Sequence, residues 1–169
     1  VVCIFCDDGG SFSQAHSNIL PVEQQVEIGA KTLHDRFKAE KFMSYFQAYS
    51  NTYKPVEELE IIYKSALKHP DVVGLSVGTR PDCVDNEKLD LISKYPTPWI
   101  EYGLQSAKDE TLKLINRGHD FECFENAVIE TKKRNIKVCA HIILGFPNET
   151  KQDMLNTAYK LSKLGIDGI

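Results

Sequence analysis

Apolar residues first recur with a helical period at Val22, Val26, Ala30, Leu33 and Phe37, in steps of four and three. This spacing predicts a helix from Pro21 to about Lys38, with the proline in the first turn, where its missing N–H costs nothing. A second amphipathic stretch follows Pro55, turning Val56, Leu59, Ile62 and Leu67 inward and stopping at His69-Pro70. Asp85 caps a third helix. Asp120 opens a fourth, after a short turn from Asp109 to Ile115 that Gly118 ends. Thr150 and Asp153 have capping-box spacing for a fifth, which stops at Gly165. Between the helices lie β-rich runs at 42–48, 71–79, 98–105 and 136–145. Each is followed by a helix, and their centres fall about 30 residues apart, the length of a parallel βα unit with a right-handed crossover.

Two architectures accept this alternation: an open doubly wound sheet, or most of a (β/α) barrel whose complete form takes roughly 250 residues. Strand parity favours the barrel. Glu101, Gly103 and Gln105 share one face of their strand, Cys139, His141 and Gly145 share one face of the next, and Ser76, Gly78 and Arg80 share one face of the strand before. Residues of this kind are poor seats for helices and predict a polar lumen that widens toward the carboxyl ends of the strands. The expected fold is α/β, a partial (β/α)6-type TIM-like barrel with parallel strands, truncated at both ends. The expected organisation is one core unit, with a cofactor loop over residues 1–18 and βα units over 19–169, in a longer protein whose upstream and downstream parts are missing. The chain opens at Val1 just ahead of a cysteine pair, and it closes as Ile166-Asp167-Gly168-Ile169 begins to read as a strand.

Composition narrows the function classes. With 169 residues, 42% of them hydrophobic and 26% charged, the chain falls in the ordinary globular range, which excludes disorder, collagen-like repeats and a disulfide miniprotein. No window approaches the roughly 18 consecutive apolar residues of a membrane helix, and no basic-then-apolar leader opens the sequence. A cytoplasmic location with no membrane partner is expected. A net charge of -4 supplies no field for unspecific nucleic-acid binding, so DNA is not an expected partner. The five cysteines are odd in number and unevenly spaced, which reads as free thiols in a reducing compartment.

Three runs could carry chemistry. Cys3-Ile4-Phe5-Cys6 can place two thiolates on one metal, since loop amides stabilise negative sulfur. Zinc would want more ligands, and no second close Cys or His pair supplies them; a thioredoxin-like dithiol would want a helix directly after the motif. A pair of small, buried, apolar cysteines is the plain alternative. In His141-Ile142-Ile143-Leu144-Gly145-Phe146-Pro147, an apolar strand ends where backbone can lie close to a flat ligand, or simply where a well-made turn leads into the next helix. Glu101 and Gln105, at the end of one strand, can hold ribose hydroxyls, and Arg117, a turn later, can fork onto a carboxylate. Left unpaired, a buried Glu101 would cost several kcal/mol, so a partner is expected, and Arg80 on the neighbouring strand is one choice.

Taken together and in this order at strand–helix junctions, these runs resemble the radical S-adenosylmethionine superfamily, close to its YhcC-like branch, a relative of the Elongator catalytic subunit and of oxygen-independent coproporphyrinogen oxidase. Tyr45-Phe46-Gln47-Ala48-Tyr49-Ser50-Asn51-Thr52-Tyr53, Gly78-Thr79-Arg80-Pro81-Asp82, Gly103-Leu104-Gln105-Ser106 and Arg117-Gly118-His119 extend the likeness over nearly the whole chain. The resemblance implies a 4Fe-4S cluster on three cysteines, with Cys3 and Cys6 as the last two and the first upstream of Val1, so that no intact cluster is expected on this piece alone. It implies S-adenosylmethionine as the second cofactor. By the same resemblance, Tyr49, Ser50, Asn51 and Thr52 meet the methionyl amino group, Glu101 and Gln105 the ribose or methionine, and Arg117 the carboxylate. Ile143, Gly145 and Phe146 then lie on the adenine side. Gly78 departs from the pattern, because related families place a glutamate there.

The implied reaction is reductive cleavage of S-adenosylmethionine to a 5′-deoxyadenosyl radical that takes hydrogen from a substrate. It requires an electron donor such as flavodoxin or ferredoxin. The residues do not name the substrate; RNA or tRNA is the candidate that kinship with Elongator suggests. The competing expectation is a noncatalytic α/β module whose Cys3-Ile4-Phe5-Cys6 binds zinc or nothing. Lys132-Lys133-Arg134 falls in the last turn of a helix, where cations suit the dipole, and reads as a solvated face.

Overall fold

A computed structural model describes residues 3–6 and 20–169. The expected cofactor loop, apart from residues 3–6, lies outside the described residues. Strands β1 (Phe42–Phe46), β2 (Val72–Thr79), β3 (Pro98–Gln105) and β4 (Lys137–Ile142) form one parallel sheet in the order β1-β2-β3-β4. Helices α1 (Val22–Phe37), α2 (Val56–Ala66), α3 (Asn86–Ile92), α4 (Asp109–Leu114), α5 (Phe121–Lys132) and α6 (Lys151–Leu164) precede, connect and follow them. A doubly wound sheet reverses its strand order. This one does not, and the progression is that of a barrel wall. The wall is open: beyond β4, Gly168 forms a parallel bridge to Cys139, with Ala140 N–H donating to the Gly168 carbonyl at 3.0 Å.

The helix starts follow their caps. The carboxylates of Asp85 and Asp120 accept from the backbone N–H of Lys88 and Cys123, and Thr150 and Asp153 cap each other reciprocally. Gly165, at φ 60°, lets α6 end in a left-handed turn. The short α4 stops earlier than expected, because Asn116 at φ 53° already turns the chain ahead of Gly118. Two strands are also shorter than their apolar runs. Left-handed Ala48 and Tyr49 (φ 74° and 61°) end the run after β1, and Gly145 at φ 89° lies in the turn beyond β4.

The outer face of the sheet is the core. Leu75, Val77, Ile100, Tyr102, Leu104, Val138 and Ala140 are fully buried there, against Leu59 and Tyr63 of α2, Leu89 and Ile92 of α3, Phe124 and Val128 of α5, and Leu161 of α6. Each of the buried Val, Leu, Ile and Phe side chains contributes about 1.5–3 kcal/mol by leaving water. The buried Tyr102 hydroxyl is satisfied by Thr131 Oγ1 at 2.8 Å, which in turn donates to the Ala127 carbonyl at 2.7 Å. The helix expected from the first apolar period is present, and its period is only partly covered: Ala30 is buried, whereas Leu33 and Phe37 are exposed. This helix packs against α2, and among the described residues no further strand extends the sheet beyond β1, the edge strand. The cations after α5 are all engaged locally, Lys132 with the Gly165 carbonyl, Lys133 with Glu130, and Arg134 with Asp90 and Asn86.

Candidate functional site

The candidate side chains gather at the carboxyl ends of β3 and β4. Arg117 follows α4 and is drawn back into the wall, 6% exposed, where its Nε donates to the Gly103 carbonyl at 3.0 Å and its Nη1 to Cys3 Sγ at 3.4 Å. Gly103 is glycine for a steric reason. A Cβ there would stand 2.4 Å from Arg117 Nη2 and 3.0 Å from Gln105 Nε2, so the guanidinium and the amide both fold over bare backbone. His119 Nε2 lies 3.1 Å from Arg117 Nε and accepts a hydrogen bond from it, which requires that ring nitrogen to carry no proton. Burial pushes the His119 pKa down and favours that neutral form.

The cysteine turn seats on the same end of the wall. Ile4 N–H donates to the Ile115 carbonyl at 3.1 Å, the Phe5 ring packs 6.1 Å from that of Phe146, and Cys6 N–H closes the turn onto the Cys3 carbonyl at 3.1 Å. Cys3 is buried and Cys6 is exposed. Burial, then the neighbouring Cys3, raise the Cys6 thiol above its ordinary range, while the Arg117 charge opposes the shift. Two sulfurs beside a guanidinium make a donor set suited to a metal or cluster that takes thiolate. Among the described residues no third carboxylate, imidazole or thiol completes a close trio with them.

The loop after β1 is built on Asn51. Its side-chain amide donates to the carbonyls of Phe46, Ala48 and Gly78 at 3.2, 3.0 and 2.9 Å, and its backbone N–H also reaches Gly78. Thr52 is fully buried, with its hydroxyl 2.6 Å from Thr79 Oγ1 and donating to the Cys83 carbonyl. Tyr49 is the open position of the loop, at 72% exposure, and Ser50 is half-buried. This loop explains the departure at Gly78, where a Cβ would press on the Phe46 carbonyl at 3.0 Å. On β4 the chain leaves the sheet with Ile143 N–H on the Gln105 carbonyl at 3.0 Å. Nothing stands within 4 Å of a Cβ placed on Gly145, and Phe146 is buried against Leu112 and Ile115.

Glu101 sits lower, four positions before Gln105 on β3. Its expected partner Arg80 is a correction: Arg80 lies past the end of β2 and pairs with Asp82 two residues on, the shorter reach. Ser76 donates to Glu101 Oε1 at 2.7 Å and His141 Nε2 lies 2.8 Å from Oε2. Tyr45 completes the surround, its pKa pushed up to about 12 by burial and by the Glu101 charge. Sequence reasoning passed over Ser76, Tyr45 and Cys139 as site residues, although parity had put Ser76 and Cys139 on the face of Glu101.

A family model described as the radical SAM superfamily matches residues 2–161. The chain belongs to that superfamily. Its relatives include the YhcC protein of Escherichia coli K12, 38% identical over 171 residues that cover 99% of this chain and 54% of that one. The chain thus spans about half the length of the curated relatives it matches. Two solved structures share the fold. Escherichia coli coproporphyrinogen III oxidase HemN, described as a radical SAM enzyme, superposes with TM-score 0.71 at 17% identity, covering 99% of this chain and 40% of its own. The Elp3 protein of the archaeon Methanocaldococcus infernus superposes with TM-score 0.71 at 19% identity, covering 83% and 38%. No helix among the described residues is long and apolar enough to cross a membrane.

Proposed function

We propose that the rim formed by residues 3–6, Gln105, Arg117 and the turn after β4 binds a 4Fe-4S cluster and S-adenosylmethionine, and that the intact protein uses them for radical chemistry on a substrate held in the lumen. The observation that carries the reading is Arg117, whose one guanidinium touches both Cys3 and the strand end beside Gln105. When bound, the two cofactors supply a one-electron cleavage of S-adenosylmethionine that starts hydrogen abstraction, with the electron coming from a reduced protein partner.

The chain's own residues bind and orient. Cys3 and Cys6 are two of three cluster ligands, the third being a cysteine outside the described residues, and the Arg117 guanidinium braces the turn through Cys3 Sγ. Tyr49 and Ser50, with backbone of a loop fixed by Asn51, face the methionyl amino group of S-adenosylmethionine; Thr52 acts by holding that loop to β2. Gln105 offers an amide to ribose or carboxylate, and Arg117 offers charge. Ile143, Gly145 and Phe146 leave an apolar, open stretch of backbone for adenine. Glu101, already held by Ser76 and His141 below the rim, belongs to the lumen and not to this set.

Anaerobic reconstitution of the full-length protein tests the reading. The expected product is a brown protein that retains iron and sulfide and yields 5′-deoxyadenosine under reduction. Stoichiometric zinc on the cysteine pair, with no iron uptake, overturns it in favour of a noncatalytic module.

A further inference from the structure

Below the rim, one row runs across the sheet as Gly78, Glu101, Cys139 and Gly168. Gly78 is in register with Glu101, Glu101 with Cys139, and Cys139 with Gly168. The outer members of the row have no side chain, so two polar side chains stand between bare backbone. A Cβ on Gly168 would lie 3.4 Å from Cys139 Sγ. His141 stands one step up β4, and its own register partner on β3 is Gly103, again without a side chain. A carboxylate oxygen of Glu101, Sγ of Cys139 and a ring nitrogen of His141 all lie within 4.8 Å of one another, in the one such trio among the described residues.

We propose that Glu101, Cys139 and His141 hold a divalent transition-metal ion of zinc type in the lumen, with a fourth position open to a substrate heteroatom. Nitrogen, sulfur and oxygen in one site suit zinc, iron(II) or cobalt(II); magnesium and calcium take oxygen alone. Three protein ligands with one position left free is the arrangement of zinc sites that act on substrates. The supporting contacts are in place: Ser76 fixes Glu101 from its far oxygen at 2.7 Å, as outer hydrogen bonds fix metal-binding carboxylates, and Tyr45 lies against the same group. His141 is the exposed member, so the ion enters from the lumen side. The metal takes the place of the Cys139 thiol proton, which passes to solvent or buffer, and His141 binds through Nε2 as the neutral ring with its one proton on Nδ1.

The site is separate from the cysteine turn, so its test does not depend on cluster loading. In full-length protein carrying Cys3→Ser and Cys6→Ser, stripped of metal and kept anaerobic, titration with cobalt(II) is expected to saturate a site with a thiolate-to-cobalt charge-transfer band. Adding Cys139→Ser abolishes the band, and His141→Gln weakens binding by more than tenfold. Ser76→Ala, which leaves all three ligands, weakens it by about tenfold. Circular dichroism confirms that each variant is folded. A folded parent that shows no band, or a band that survives Cys139→Ser, overturns the proposal and leaves His141 and Glu101 as a hydrogen-bonded pair.

Discussion

Along β3 the residues alternate between two environments. Ile100, Tyr102 and Leu104 are fully buried beneath helices, while Glu101, Gly103 and Gln105 face the other way with a carboxylate, a bare backbone and an amide. The same division crosses the sheet, from Leu75 and Val77 against Ser76 and Gly78 to Val138 and Ala140 against Cys139 and His141. Apolar packing and polar side chains are thus assigned to opposite faces of the same strands. The outer face excludes water through close packing. The inner face keeps its polar groups partnered but partly open, which leaves them able to exchange those partners for a ligand.

Separating the two faces by mutation tests this division. The largest effect belongs to the cysteine turn. In the full-length protein, Cys3→Ser or Cys6→Ser is expected to abolish iron retention after reconstitution while leaving the thermal melt of the metal-free protein unchanged; a lowered melt with iron retained would contradict it. On the outer face, Phe124→Ala opens a cavity under β3 and should cost about 3–5 kcal/mol in a denaturant titration, without changing the metal or cofactor content of the protein that remains folded. Gly103→Ala sits on the boundary. Its Cβ collides with Arg117, so about 1–3 kcal/mol of overpacking should appear together with weaker binding of S-adenosylmethionine, measured by calorimetry.

The smallest effect is at the start of α6, remote from both faces. Thr150→Ala should cost about 1 kcal/mol by denaturant titration, the ordinary worth of a cap. Asp153 gives this cap a pH signature, because the Thr150 backbone N–H and hydroxyl, followed by Lys108, hold its carboxyl down to about 2. A depressed carboxyl stabilises the fold above its unfolded value of 3.8, and that contribution disappears as the pH falls toward about 2. Acid unfolding curves of Thr150→Ala should show a flatter slope in that window.

The elements were legible where local chemistry decides them. Asp85, Asp120 and the Thr150–Asp153 pair announce their helices, and β3 has the bounds its apolar run suggested. Strand parity also separated the two faces, since alternation is a property of the backbone alone. What could not be read is what depends on register. Ser76 and His141 reach Glu101 only because parallel pairing sets them on either side of it, and nothing in the order of residues favours them over Arg80, which finds Asp82 nearby. Likewise, the contact of Arg117 with Cys3 joins residues 114 apart in sequence. The period on α1 marked the helix and said nothing of its burial, because an apolar period shows that a face exists and not what covers it.

The most direct test is the electron paramagnetic resonance spectrum of the reduced cluster in the full-length protein, recorded with and without S-adenosylmethionine. The account predicts that adding S-adenosylmethionine shifts the signal and that Arg117→Leu, with its iron intact, loses the shift. A complete cluster whose spectrum S-adenosylmethionine leaves unchanged would contradict it.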